Sequence, residues 1–311
     1  MSHPPPGTPK ARIPGPQRPL PPYPRIGAGL WRRCLGGGLA VWAATACVTW
    51  AARSTAPLPA LVLLGGFLVP VVFVLWAYER HGRDLGVSAV LGCFLAGGAL
   101  GVLGALAGAS VPHPSPDRFL TVALAEETAK LAALVFALRR QPGIRGTRAG
   151  LVLGAAVGVG FAATESTGYA LRAALSADPL GGLETELAHG LLAPFGQGLW
   201  TAVTGGALLA LRRPDGRMRY APPVVAACMG VSLLHALADA ARAVAPWLVV
   251  RLTGRGAEPG LFATGYPPQP SASQQHLLTL VAAVGPALVT LAGASWALSL
   301  VRRNPPWKNT P

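Results

Sequence analysis

At 311 residues, with 51% hydrophobic and 12% charged residues and a mean hydropathy of +0.44, the chain is too apolar for an ordinary soluble domain. It reads as an all-α, polytopic membrane protein. The net charge of +14 would suit a nucleic-acid binder, but the distribution of the basic residues explains it otherwise.

Residues 1–29 hold Pro4-Pro5-Pro6, Pro14, Pro16, Pro19, Pro21-Pro22 and Pro24 among basic residues, a composition that builds neither helix nor core. They are expected to form a disordered cytoplasmic tail. The membrane-embedded region follows over 30–301, and 302–311 form a short basic tail. Eight apolar runs, at 30–52, 58–78, 86–109, 118–138, 149–172, 187–211, 221–245 and 275–301, are each long enough for a hydrocarbon core of about 30 Å. The first is read as an uncleaved anchor, because its apolar stretch continues to Ala52 behind a long basic flank. With both termini in the cytoplasm, the inner segments carry nineteen Lys and Arg and the outer ones six, Arg53, Arg118, Arg172, Arg242, Arg251 and Arg255. This is the positive-inside pattern. The inner basic loops suit anionic lipid headgroups, and no nucleic-acid partner is needed.

In the third run Gly97, Gly101, Gly104 and Gly108 make GxxxG pairs, and Gly154 and Gly158 make another in the fifth. Small residues at this spacing let helix backbones approach closely. The four cysteines, Cys34, Cys47, Cys93 and Cys228, have no CxxC spacing and read as packing residues.

The fourth run breaks the apolar rule. From Phe119 to Leu138 it contains Glu126, Glu127 and Lys130. Three such residues at the centre of a spanning helix cost roughly 8 to 10 kcal/mol on an insertion scale, against about 3 to 5 kcal/mol returned by the nine Leu, Val and Phe side chains. The helix must therefore face polar partners inside a bundle. Lys130 is four residues from Glu126 and three from Glu127, so the three share one side of the helix. The fifth run adds Glu165, after Gly160-Phe161-Ala162-Ala163-Thr164. The sixth opens with His189 and carries Pro194-Phe195-Gly196-Gln197 and Trp200-Thr201. The seventh adds His235 and Asp239, one helical turn apart. Outer loops are expected near 174–186 and, rich in Gly and Pro, at 251–274.

The alternating direction of the runs brings Glu126, Glu127, Glu165, His235 and Asp239 toward one layer in the outer half of the membrane. Ionisable groups at such depth are functional by default. Carboxylates with a histidine can hold zinc and activate water, while a paired-carboxylate mechanism without metal uses the same residues. There is no HExxH.

Glu126-Glu127-x-x-Lys130, the glycine-rich run into Phe161-x-x-x-Glu165, Pro194-Phe195 leading to Trp200-Thr201, and His235-x-x-x-Asp239 resemble, in order, the motifs of PrsW-type intramembrane proteases, distant relatives of the CAAX and Abi membrane proteases. The resemblance covers about 118–240. It implies a bacterial multi-pass cell-membrane endopeptidase, classed as a metalloprotease, that cuts a membrane-anchored protein such as an anti-sigma factor near the extracytoplasmic side. It further implies catalytic roles for Glu126, Glu127, Lys130, Glu165, His235 and Asp239, and a divalent metal, zinc, on Glu127, Glu165 and His235. The chain departs from the family pattern at Ser166 and Asp239, where Asn is common, and at Gln197, where the family usually has His. A catalytically degenerate relative that binds membrane proteins, and a proton-coupled transporter, are the alternatives.

Overall fold

The computed structural model describes residues 29–52, 56–82, 84–108, 116–174, 179–253 and 271–303. The proline-rich segment, most of the 251–274 loop and residues 304–311 lie outside these. The described residues form eight α-helices and no strand: α1 Leu30–Ala52, α2 Leu58–Ala77, α3 Val87–Gly108, α4 Pro116–Ala137, α5 Thr147–Ala174, α6 Pro179–Ala210, α7 Pro222–Leu252 and α8 Gln275–Arg303. Six of them, all but α4 and α6, are long and apolar enough by composition to cross a membrane. In α4 the interruption is the charged triplet.

Two ends differ from the sequence-based expectation. Residues 179–186, expected in an outer loop, are the first turns of α6, which starts at Pro179; proline is favoured at a first helical position, where its missing N–H costs nothing. Helix α7 continues past residue 245 to Leu252 through an internal Pro246. Its extra turns bury Val249, which packs with Ala245 and with Leu278 of α8.

The centre of the bundle is α5. In its most apolar stretch 89% of residues are buried, against none in α1 and 11% in α8. Small residues on two faces make this possible. On one face Gly150, Gly154 and Gly158 lie directly against the backbone of α6 at Gly205, Thr201 and Gln197, and a Cβ at any of them would meet a carbonyl oxygen. On the other, Gly97 and Gly101 of α3 meet the carbonyls of Val157 and Phe161, and the Thr164 hydroxyl donates to the Gly98 carbonyl at 2.8 Å. Close backbone approach of this kind supplies the packing that holds helices together where lipid is as apolar as the side chains. Its consequence for the site is positional, because Gly158 sets how near the backbone of Gln197 comes to α5.

At the other end of the helices Arg212, 6% exposed, joins three segments. Its guanidinium donates to the carbonyls of Leu138, Gln141 and Ile144 in the α4–α5 turn at 3.2, 3.0 and 2.8 Å, and its Nε to Gly216 at 2.9 Å. Large apolar side chains such as Leu39, Trp50, Leu280 and Leu291 are exposed on α1 and α8, as expected for faces toward lipid.

Candidate active site

Helices α4, α5, α6 and α7 each bring polar side chains to one buried cluster. From α4, Glu127 and Lys130 are completely buried, while the Glu126 side chain keeps 16% exposure. The i to i+3 and i to i+4 spacing draws both carboxylates to one ammonium: Lys130 Nζ is 2.8 Å from Glu127 Oε1 and 3.5 Å from Glu126 Oε2. Phe161 of α5 covers the same ammonium with its ring face, 3.9 Å from the centroid. This is a cation–π contact, and desolvation strengthens it.

His235, on α7, is held from both sides. Its Nδ1 lies 3.0 Å from Glu127 Oε1. A carboxylate already paired with an ammonium is an acceptor, so Nδ1 is the nitrogen placed to donate to Glu127, and in the neutral form of the ring that tautomer has its lone pair on Nε2. Around Nε2 stand Asp239 Oδ2 at 3.4 Å, Glu126 Oε2 at 3.7 Å and Gln197 Nε2 at 3.4 Å. Trp200 lies alongside the imidazole, ring centroids 4.9 Å apart. Asp239 is in turn held by Arg242.

Gln197 of α6 is the joint between helices. It is buried; its Oε1 accepts from Lys130 and its Nε2 lies 3.4 Å from Glu165 Oε2 as well as from His235. Glu165, from α5, enters the cluster through this amide. Beside Gln197, Trp200, His235, Asp239 and Arg242 a cavity of about 50 Å³ opens between α6, α7 and α8, large enough to hold water. One oxygen each of Glu126 and Glu127, Oε2 in both, is buried without a hydrogen-bond partner within the chain.

All six residues singled out in the sequence therefore lie in or beside one cluster: Glu126, Glu127, Lys130, Glu165, His235 and Asp239. His189 falls outside the residues whose side chains are described. Two further members are not singled out as site residues in the sequence. Gln197 stands out there only as a departure from a motif, and its bridging role needs the α5–α6 distance that no sequence spacing gives. Arg242 counts there only as an outer charge, although its place three residues after Asp239 is a readable ion-pair signal.

A helical membrane bundle that gathers carboxylates, an imidazole and an ammonium around a water-sized cavity has the parts of a membrane-embedded hydrolase. Residues 83–254, more than half of the chain, match the family model described as PrsW family intramembrane metalloprotease, and the chain belongs to that family. No curated protein and no solved structure matches it. Membership supports an intramembrane peptidase in a multi-pass membrane protein, with a membrane-embedded protein as substrate, and the family description implies a divalent metal.

The three residues that the resemblance implies as ligands, Glu127, Glu165 and His235, do not meet one ion as they are arranged. Among the described residues no group of three or more His, Cys, Asp or Glu side chains stands so as to hold an ion, and the contacts explain why. Glu127 meets His235 at Nδ1, whereas Glu165 lies beyond Gln197 on the Nε2 side, so the two carboxylates address opposite nitrogens of one ring. The carboxylates that share the Nε2 side with Glu165 are Glu126 and Asp239, not Glu127. The positive charge among the carboxylates is supplied by Lys130 itself.

Proposed function

We propose that this chain hydrolyses a peptide bond of a membrane-anchored protein, near the extracytoplasmic side of the cell membrane, with His235 as the base. The observation that carries this reading is the Nδ1 contact to buried Glu127, which leaves Nε2 to take a proton beside the water-sized cavity. A water at Nε2 gives up its proton to the imidazole as its oxygen attacks the substrate carbonyl carbon. Arg242, which lines that cavity, supplies the positive charge that stabilises the resulting oxyanion. As the C–N bond breaks, the imidazolium returns the proton to the leaving amine. Glu127 is a positioning residue, since it is too buried to meet substrate. Glu126 and Asp239, both partly exposed, orient the water, and Lys130 neutralises the acidic pair.

Zinc on Glu127, Glu165 and His235, the set implied by the family resemblance, would require those side chains to leave Lys130 and Gln197. The proposal is tested with purified chain in proteoliposomes and a single-span model substrate, followed by mass spectrometry of the products and elemental analysis of the protein. Cleavage by a protein holding far less than one metal ion per chain, and unchanged by a chelator, is expected. An intact substrate would overturn the peptidase reading; stoichiometric zinc that is lost in His235→Ala would overturn the metal-free assignment.

A further inference from the structure

The polar cluster does not use the larger cavity of the bundle, a groove of about 890 Å³ between α2, α5, α6 and α8. Its walls are apolar: Val69, Phe73 and Trp76 on one side, Leu199, Ala297 and Val301 on the other, with Leu151, Val152, Ala155 and Val159 of α5 as the floor. One end differs. There the lining is Arg145, Gly146, Thr147 and Arg148, which places two exposed guanidiniums at the N-terminus of α5. Arg302 and Arg303 follow directly on Val301 at the end of α8.

Length and charge together define an occupant. Along α5 the groove extends from Arg148 to Val159, about 16 Å at 1.5 Å per residue. That is half of a hydrocarbon core of about 30 Å. A spanning helix needs the full thickness, whereas an acyl chain of one leaflet needs half. The two guanidiniums suit a phosphate through charge-assisted hydrogen bonds, and a helix N-terminus favours the same anion. The apolar floor excludes a free anion from all but the mouth.

We propose that this groove binds an anionic phospholipid of the arginine-rich leaflet, with its phosphate at Arg145, Arg148 and the start of α5 and one acyl chain laid along α5 toward Val159. The proposal is independent of the peptidase reading, since it uses none of the residues of the polar cluster. It gives the general attraction of basic loops to acidic membranes a defined site with a stoichiometry of one.

Native mass spectrometry of the full chain released from detergent tests it, with dioleoylphosphatidylglycerol and dioleoylphosphatidylcholine offered at equal concentration. One retained phosphatidylglycerol per chain is expected, preferred at least tenfold over phosphatidylcholine. Arg145→Ala with Arg148→Ala should abolish the preference, and Arg139→Ala with Arg140→Ala, in the same turn but off the groove, should leave it intact. Ala155→Phe, which fills the floor and keeps both arginines, should also lose the retained lipid. Inorganic phosphate at the same concentration should not displace it. Equal retention of the two lipids, or an equal loss in both arginine pairs, would overturn the proposal. So would an Ala155→Phe chain that still retains phosphatidylglycerol but no longer cuts a single-span substrate, which would make the groove a path for the substrate helix.

Discussion

Glu127→Gln is expected to lower the cleavage rate by about 10² to 10⁴ while leaving substrate KM nearly unchanged. The reason lies in one contact. Glu127 Oε1 accepts from His235 Nδ1 at 3.0 Å and from Lys130 at 2.8 Å. A glutamine can offer its NH₂ to Nδ1, which moves the ring hydrogen to Nε2 and removes the lone pair that would receive a proton from water. Volume is conserved, but the buried Lys130 ammonium keeps only Glu126 as a carboxylate partner. Some stability is lost as well, and the rates are compared under conditions where each variant is folded. Glu126→Gln gives a useful contrast. Glu126 stands on the Nε2 side at 3.7 Å and does not set the tautomer, so its loss should cost less than that of Glu127. Initial rates with the reconstituted variants, each checked by thermal unfolding, separate the two roles. Equal rates for Glu127→Gln and the unaltered chain would remove Glu127 from the mechanism.

Lys130→Met is expected to act on folding first. Its ammonium is completely buried, and within 3.5 Å it meets both Glu126 and Glu127. Removing one partner of a buried ion pair leaves charge without compensation, at a cost of about 3 to 5 kcal/mol. Gln197 Oε1 would also lose its donor, and the α4–α6 connection with it. The double variant Lys130→Met with Glu127→Gln should recover much of this loss, because the uncompensated carboxylate goes with the lysine. Unfolding in detergent, followed by circular dichroism, measures the coupling. Additive losses would mean that the pair is not the support for α4 that its geometry makes it.

The fold and the site differ in how far the amino-acid sequence reveals them, and the physics behind each feature accounts for the difference. The eight helices are visible in the sequence because hydrocarbon thickness sets their length. Their ends are less so: Pro179 opens α6 where the acidic residues after it suggest a loop, and Pro246 sits inside α7 rather than ending it. The need for partners around Glu126, Glu127 and Lys130 follows from insertion cost alone, and the alternating topology brings His235 and Asp239 to the same depth. Sequence does not tell which imidazole nitrogen faces Glu127, because that depends on how α7 is rotated against α4. Nor does it show Gln197 as a bridge, a role that rests on the contact between Gly158 and the Gln197 backbone. Arg212 reads in the sequence as topology, one more inner charge, and its four carbonyl contacts come only from the way the α4–α5 turn folds beside the end of α6.

The most direct test of the hydrolytic centre is the cleavage of a single-span substrate by the His235→Ala chain beside the unaltered one, both in the same proteoliposomes and both shown to be folded. The unaltered chain should release two products whose new termini account for one added water, and His235→Ala should release none within the range of the assay. Equal product from the two would contradict the claim that the cluster joining α4, α5, α6 and α7 performs the hydrolysis.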